Sequence, residues 1–148
     1  MNEDKIEFYS ETGDYGELSN FARFAIQLKG KTWATVEHYF QAQKFAGTAY
    51  ESQIQKAVSP MKAAEMGRTR KVKMRRNWDN IKDNVMLEAL RAKFSQHPEL
   101  KELLLSTSDK ILVEHTENDS YWGDGGDGSG KNRLGKLLMK VREELSTE

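Results

Sequence analysis

Four side chains between residues 37 and 44 are spaced to share one face of a helix. Glu37, Phe40, Gln41 and Lys44 occupy positions i, i+3, i+4 and i+7, whose side chains are neighbours on a helical surface. A carboxylic acid, an amide and an amine are thereby aligned beside an aromatic ring. Such an acid and amine could perform general acid–base or nucleophilic chemistry, although a solvated charged face is the commoner meaning of this spacing.

A glycine-rich segment offers a second place for chemistry. Residues 123–130 contain five glycines, which let a backbone approach a ligand closely. A helix is expected to begin just after them, and its N-terminal amides, with Lys131 and Arg133, could bind a phosphate. The spacing from Gly125 to Lys131 matches a nucleoside-triphosphate loop, but Asn132 stands where Ser or Thr must hold magnesium, which excludes that interpretation. A surface loop without a ligand is equally compatible with this composition.

A basic stretch over residues 68–76 carries six Arg and Lys side chains, enough to contact phosphate or nucleic acid, although a solvated surface is more common. The ring of Trp78 could stack on a base, but a tryptophan beside a helix start is usually part of the core. His38, His97 and His115 lack the spacing of metal ligands, and we expect each to be structural. Without clustered ligands or a dinucleotide-binding glycine motif, we expect no metal and no other cofactor.

The composition excludes several classes of protein. With 148 residues, of which 37% are hydrophobic, the chain can form one soluble domain. Its 23 basic and 23 acidic side chains cancel, so no long-range attraction to nucleic acid or an anionic membrane is expected. The absence of cysteine excludes disulfides, thiolate zinc sites and cysteine nucleophiles. The N-terminus is polar and no apolar run is long enough for a bilayer, so we expect a cytoplasmic protein.

Periodicity and capping residues predict a mainly helical fold. Alternating apolar residues at 6–8 and 24–28, with a tight turn at Lys29-Gly30, predict a small antiparallel sheet near the N-terminus, and a further strand is predicted over 110–115. The predicted helices run from a Thr35 cap through 45, over 51–58, from a Ser59 cap over 60–67, over 80–96, from Pro98, and from an Asn132 cap to the end. The expected fold class is α+β, predominantly helical, with residues 1–148 forming a single domain.

Motifs distributed along nearly the whole chain are similar to those of one protein family. The most specific is the first-helix motif from Glu37 to Phe45, preceded by Trp33. The other motifs are Phe8-Tyr9, Tyr15-Gly16, Leu18-Ser19-Asn20-Phe21, Met66-Gly67-Arg68, Trp78, Asn118 to Gly126 and Lys131-Asn132-Arg133-Leu134-Gly135. Together they strongly resemble the NADAR family and, within it, the YbiA-like single-domain members.

The resemblance implies a helical fold and an N-glycosidase. YbiA-like members hydrolyse the ribose–base bond of phosphoribosylaminopyrimidines, the reactive early intermediates of riboflavin biosynthesis, which implies a damage-control enzyme. Other members remove ADP-ribose from guanine, so an ADP-ribosyl-guanine hydrolase is the alternative. The implied partner is a small phosphoribosyl-base substrate and not a membrane, and nucleic acid enters only if ADP-ribosylated guanine in DNA is the substrate.

The resemblance also implies roles for particular residues. Glu37 is expected to act as general acid or base, Lys44 to polarise or attack the anomeric carbon, and Asp119 to orient water or a ribose hydroxyl. Attack by Lys44 through a Schiff base and direct attack by water both remain open. The expected substrate-binding residues are Asn20, Phe21, Phe40, Gln43, Arg68, Trp78, Trp122 and Gly123.

Two competing hypotheses belong to other classes of function. The same pocket could bind ADP-ribose or a related nucleotide without turnover, in which case no product would be released. Alternatively, residues 68–76 could bind nucleic acid, in which case affinity would fall steeply with salt. The neutral net charge counts against the second hypothesis.

Overall fold

The structure is a computed structural model that describes residues 4–148. It contains two compact units, one comprising the chain up to Ala22 together with Phe94–Glu148 (unit one), the other Arg23–Lys93 (unit two). The elements are β1 (Lys5–Phe8), a short 3₁₀ turn (Gly16–Leu18), β2 (Ile26–Leu28), β3 (Lys31–Trp33), α1 (Val36–Gln43), α2 (Ala49–Gln55), α3 (Pro60–Gly67), α4 (Trp78–Gln96), α5 (Pro98–Ser106), β4 (Ile111–Glu114) and α6 (Arg133–Ser146). Within residues 4–148, no helix has the length and apolar character needed to cross a membrane. The predicted helical α+β class is confirmed.

The predicted turn at Lys29 and Gly30 is confirmed. β2 and β3 pair antiparallel, with Ile26 opposite Trp33. The two turn residues have φ values of 55° and 74°, the positive values that a two-residue turn with the twist of a hairpin requires. The indole nitrogen of Trp33 donates to the carbonyl oxygen of Leu28 at 3.0 Å, and α1 begins shortly after this hairpin.

β1 does not join this hairpin. It pairs in parallel with β4, with Ile6 opposite Leu112 and Phe8 opposite Glu114. The prediction that residues 6–8 belong to an N-terminal antiparallel sheet was therefore wrong, and Phe24 lies outside any strand. Alternation of apolar residues identifies a strand with one buried face, but it contains no information about which distant strand completes the ladder.

Hydroxyl side chains begin three helices of unit two. Thr35, Thr48 and Ser59 each accept a backbone N–H from the first turn of α1, α2 and α3, and Pro60 occupies the first turn of α3. The predicted caps at Thr35 and Ser59 and the bounds of α3 are confirmed. α1 ends at residue 43 and not 45, whereas α4 begins at residue 78 and not 80.

The start of α6 differs from the prediction. Asn132 has a left-handed backbone, with φ 50°, and its side chain makes no capping hydrogen bond to α6. Its Oδ1 instead accepts from the backbone N–H of Glu114 at 3.0 Å, and its Nδ2 donates to the carbonyl oxygen of Leu112 at 2.9 Å. Asn132 therefore fixes the beginning of α6 to β4 within unit one.

Candidate active site

The helix predicted to carry the chemistry is buried along its whole length. All eight residues of α1 are buried, and Glu37 and Gln41 are each only 8% exposed. This excludes the solvated charged face that was the alternative interpretation. A carboxylate with so little water around it needs hydrogen-bond donors, and the Nε2 of Gln41 donates to the Oε2 of Glu37 at 2.8 Å.

Lys44 lies at the C-terminal end of α1 and is half-buried. Its ammonium nitrogen donates to the carbonyl oxygen of Gly67, 3.3 Å away at the end of α3. Its own carbonyl oxygen accepts from the backbone N–H of Arg75 at 2.8 Å. The first bond holds the side chain of Lys44 at the end of α3, and the second holds its backbone to the segment between α3 and α4.

The charge state of Lys44 is set by its surroundings. Burial lowers the pKa of Lys44, the carboxylate of Glu37 opposes that effect, and the positive charges of Arg68 and Lys82 add to the lowering. A larger fraction of this amine is therefore neutral near pH 7 than of an exposed lysine. Because only the neutral amine is a nucleophile, α1 presents an acid and an activated amine within electrostatic reach of each other.

Phe40 and Trp78 form an aromatic pair in unit two. Their ring centroids lie 5.1 Å apart at an interplanar angle of 56°, and each residue is 5% exposed. This contact accounts for Trp78 as a core residue that anchors the start of α4. Stacking of a base on either ring stays a prediction.

Gln43 bridges two other elements of unit two. It has no exposed surface, its Nε2 donates to the carboxylate of Glu51 at 3.0 Å, and its Oε1 accepts from the ammonium of Lys29 at 3.1 Å. Both polar ends are thus used to join α1 to α2 and to the hairpin turn. The structure gives Gln43 a framework role, and its contact with substrate stays a prediction.

The basic stretch divides into two parts. Arg68 is an exposed residue at the C-terminal cap of α3, and its charge acts on Lys44. Arg75 is connected to Lys44 through its backbone. The remaining cations of the stretch are exposed residues between α3 and α4, namely Arg70, Lys71, Lys73 and Arg76. Arg68 and Arg75 are therefore the cations of this stretch that interact with the end of α1.

Several predicted site residues lie in unit one. The Oδ1 of Asp119 accepts the backbone N–H groups of Tyr121 at 2.9 Å and Trp122 at 2.8 Å, so this carboxylate shapes the turn before the glycines. The partly exposed ring of Trp122 meets that of Tyr121 edge-on, with centroids 4.9 Å apart. Gly123 is buried, and a Cβ there would lie 2.6 Å from Thr116 and 2.8 Å from a backbone oxygen, so packing alone explains this glycine.

Asn20 and Phe21 follow Ser19, the C-terminal cap of the 3₁₀ turn in unit one. Asn20 is buried, whereas Phe21 is partly exposed and its backbone N–H donates to the hydroxyl of Ser19 at 3.1 Å. Their contacts with substrate, like those of Asp119 and Trp122, stay predictions.

The N-terminus of α6 is not the predicted anion site. The backbone N–H groups of Asn132, Arg133 and Leu134 donate to the carbonyl oxygens of Gly123, Tyr121 and Trp122 at 2.9–3.0 Å. The amides that an anion would need are already engaged. The glycine-rich loop is instead organised by Asp124, whose Oδ1 accepts from the backbone N–H groups of Thr116 and Gly126.

One group of side chains could offer ligand atoms to a metal. Glu7, His115 and Asp124 place one such atom each within 4.8 Å of the others. Sequence spacing did not reveal this group, because Glu7 comes from β1 and meets the other two through the β1–β4 pairing. The Nδ1 of His115 lies 2.8 Å from the Oδ2 of Asp124, and this hydrogen bond raises the pKa of His115. Asp124 also accepts from two backbone amides, so His115 and Asp124 have a structural role in the loop.

His38 is structural, as predicted. The hydroxyl of Thr35 lies 2.8 Å from its Nδ1, and the carbonyl oxygen of Ala57 lies 3.0 Å from its Nε2. A carbonyl oxygen only accepts, so Nε2 carries a proton. Burial lowers the pKa of His38 and so favours the neutral ring.

Sequence reasoning gave no role to Gly67 or Lys82. Gly67 belongs to one of the family motifs, but its contact with the α1 residues depends on how α3 packs against α1. Lys82 stands in an ordinary amphipathic helix, and no local signal distinguishes it from other surface lysines. Both were found through their interactions with Lys44.

Comparison with known proteins decides the family. The model of the NADAR domain matches residues 7–146. The chain belongs to the NADAR family. The match includes the whole of α1 and the glycine-rich segment, and it spans residues of both units.

Relatives and a solved structure extend the assignment. N-glycosidase YbiA from Escherichia coli K12 is 58% identical over 148 residues, with 100% of this chain and 92% of that protein covered. The NMR structure of E. coli YbiA matches with a TM-score of 0.90 and 59% identity, covering 97% of this chain and 85% of that one. A riboflavin biosynthesis protein from Vibrio vulnificus is 41% identical over 143 residues, covering 97% of this chain but 39% of that protein. The predicted NADAR fold and the enzyme class, N-glycosidase, are confirmed.

Proposed function

We propose that this NADAR chain hydrolyses the bond between ribose C1 and the base nitrogen of phosphoribosylaminopyrimidines, intermediates of riboflavin biosynthesis. The observation that carries the proposal is the burial of Glu37 with Lys44, an amine of lowered pKa, at the two ends of α1. The name of the Vibrio relative supports the substrate class. As predicted from the sequence, the reaction is proposed to take place in the cytoplasm on a small molecule and without a metal or other cofactor.

Lys44 supplies the nucleophile in the proposed reaction. A ribosylamine opens to an imine between C1 and the base nitrogen, and the neutral Nζ of Lys44 adds to C1. Glu37 accepts the protons that Nζ gives up and passes them to the base nitrogen, so the bond from C1 to that nitrogen breaks with its electron pair on the leaving amine. The lowered pKa of Lys44 favours this route because it increases the neutral fraction of the amine.

Water completes the proposed cycle. After the base has left, C1 is held to Lys44 as an imine of the open-chain sugar phosphate. Water adds to C1, Glu37 relays its protons to Nζ, and cleavage of the C1–Nζ bond releases the sugar phosphate and the free amine. The net reaction consumes one water and forms one base and one sugar phosphate.

Direct attack by water is the rival route at the same site. Glu37 would then deprotonate the water, and Lys44 would contribute only a positive charge near the anomeric carbon. The two routes differ in whether a sugar ever becomes bonded to Lys44.

The proposal is tested by incubating the protein separately with a phosphoribosylaminopyrimidine and with ADP-ribosylated guanine. Free base and free sugar phosphate are then quantified by chromatography. Release from the first substrate is expected. Release from the second substrate alone would favour the ADP-ribosyl-guanine hydrolase, and binding of either compound without release would favour a non-catalytic module.

A further inference from the structure

Gly67 contacts Lys44 and the hydrogen-bond partner of Glu37. Its carbonyl oxygen accepts from the ammonium of Lys44 at 3.3 Å. Its α-carbon faces the side-chain amide of Gln41, because a Cβ built on Gly67 would lie 1.9 Å from the Oε1 of Gln41. That same amide donates through Nε2 to the carboxylate of Glu37 at 2.8 Å. One residue of α3 therefore borders the amine directly and the acid through one intermediate.

The need for glycine at position 67 is steric and not conformational. Gly67 closes α3 and lies outside the set of residues with positive φ, so its backbone conformation is open to any L-residue. Alanine is ordinarily the better residue inside a helix. Here the methyl group of alanine would occupy the space that the Gln41 amide fills.

The end of α3 is held in place and cannot move aside easily. The hydroxyl of Tyr50, from α2, donates to the carbonyl oxygen of Met66 at 3.0 Å. The atom that a Cβ at Gly67 would meet is instead the end of a flexible side chain. The clash would thus be relieved by moving the Gln41 amide by about an ångström, which stretches its hydrogen bond to Glu37.

The orientation of the Gln41 amide is also fixed. Its Oε1 is buried and accepts no hydrogen bond from the described residues, since it faces the α-carbon of Gly67. Turning the amide over would place an oxygen against the carboxylate of Glu37, so the NH₂ group must face that carboxylate. A buried acceptor without a donor is costly and rare in folded proteins. Holding the NH₂ group toward Glu37 is what leaves Oε1 without a donor among the described residues.

We infer that Gln41 and Gly67 are positioning residues, which together set the placement of the Glu37 carboxylate and the Lys44 amine. The inference rests on the proposed function, because it assigns these residues to the reaction of that site. Gln41 acts through its amide, and Gly67 acts through the space it leaves for that amide and through its carbonyl oxygen.

The test is a double-substitution cycle on the full chain with the phosphoribosylaminopyrimidine as substrate. G67A should lower kcat by about 100-fold with KM changed less than about 3-fold, because misplacing a catalytic group by about 1 Å costs roughly this much. In the Q41A background, G67A should lower kcat by less than about 2-fold further, because no amide remains to be displaced. G13A is the matched control, since nothing lies within 4 Å of a Cβ at Gly13, and it should leave kcat unchanged.

A readout that does not depend on turnover accompanies the kinetics. The side-chain NH₂ resonances of Gln41, assigned by NMR, should shift and lose protection from exchange in G67A but not in G13A. The melting temperature of G67A should stay within a few degrees of the wild type, since alanine suits the helix and the displaced side chain is flexible.

The outcomes separate this inference from the proposed function. Wild-type kcat in G67A, losses that simply multiply in the double variant, or Gln41 resonances unmoved by G67A would each overturn the positioning role. Failure of the wild-type protein to release base would overturn the proposed function before any variant is made. In that case the Gln41 resonances still decide whether Gly67 holds the amide.

Discussion

The ammonium of Lys44 lies 3.3 Å from the carbonyl oxygen of Gly67, so the amine at the end of α1 is oriented by the end of α3. Carbonyl groups at a helix C-terminus carry partial negative charge and attract a cation. Burial and the positive charges of Arg68 and Lys82 act in the opposite direction and favour the neutral amine. Lys44 is thus held in one place by a contact that does not prevent it from losing its proton.

The first prediction concerns the pH dependence of the reaction. On the imine route, kcat/KM should rise as Lys44 loses its proton, with a midpoint below the ordinary lysine value of 10.5. K82Q removes a cation that lowers the pKa of Lys44, so the midpoint should move to higher pH. The matched control is K62Q, because Lys62 is exposed on α3 and pairs with Glu65. A K82Q profile that moves to lower pH, or not at all, would contradict this account of the Lys44 charge.

The second prediction concerns Glu37. E37Q keeps the size of the side chain but removes its ability to exchange a proton, so kcat should fall by about 10²- to 10⁴-fold on either route. Steady-state kinetics and circular dichroism measure activity and fold together. E65Q, on the exposed surface of α3, should retain wild-type activity. Near-normal turnover in a folded E37Q variant would remove Glu37 from the mechanism.

The third prediction concerns acid stability and two histidines. Burial lowers the pKa of His38, with the cation of Arg23 also lowering it and the hydrogen bond to Ala57 opposing. The unfolded chain therefore takes up a proton near pH 6.5 before the folded protein does, so His38 makes the free energy of unfolding fall as pH drops below 6.5. H38Q should flatten this acid slope in urea unfolding experiments at several pH values.

His115 provides the control of opposite sign. Its hydrogen bond to Asp124 raises the pKa of His115, so the stabilisation is complete below 6.5 and is lost as pH rises through the folded-state pKa. H115Q should remove a decline in stability above pH 6.5 and leave the acid slope intact. Equal effects of H38Q and H115Q on the acid slope would contradict both assignments.

The fourth prediction concerns the link between α6 and β4. N132G tolerates the positive φ but deletes the two side-chain hydrogen bonds to Leu112 and Glu114. Both hydrogen bonds are part-buried, and an unpaired group costs about 1–3 kcal/mol when it is buried, so the free energy of unfolding should drop by about 1 kcal/mol. N118G, at an exposed position, is the control for adding a glycine to unit one. Equal unfolding free energies for the two variants would show that the Asn132 bridge is not stabilising.

The fifth prediction is that chelators leave turnover unchanged. Glu37 and Lys44 exchange protons and form bonds without a Lewis acid in the proposed reaction. If EDTA abolished activity and a divalent ion restored it, the group of Glu7, His115 and Asp124 would be the first place to look. H115Q would then lose the response to the ion, and the assignment of catalysis to α1 would have to be abandoned.

Local chemistry predicted much of the fold. The caps at Thr35 and Ser59, Pro60 in the first turn of α3 and the turn at Lys29-Gly30 all depend on backbone preferences of neighbouring residues, and all are confirmed. The partner of β1 and the side-chain role of Asn132 could not be predicted, because both depend on β4, which is distant from β1 and from α6 in sequence.

The candidate site also has a part that local sequence predicts and a part that depends on distant residues. Helical spacing placed Glu37 and Gln41 on one face, and their hydrogen bond follows from that spacing. The burial of this face and its contact with Gly67 depend on the packing of α3 on α1, which helical spacing does not reveal. The family resemblance indicated that these residues are functional, and the burial of α1 supplies a physical reason for their chemistry.

The most direct test of the account is to trap the proposed bond between the sugar and Lys44. Borohydride added during turnover should reduce the imine and leave a sugar-phosphate-sized mass increase on Lys44, located by peptide mass spectrometry. K44R keeps the positive charge but is a poor nucleophile, so it should form no adduct and lose nearly all turnover. Full activity in K44R together with no trappable adduct on the wild-type protein would contradict the covalent mechanism.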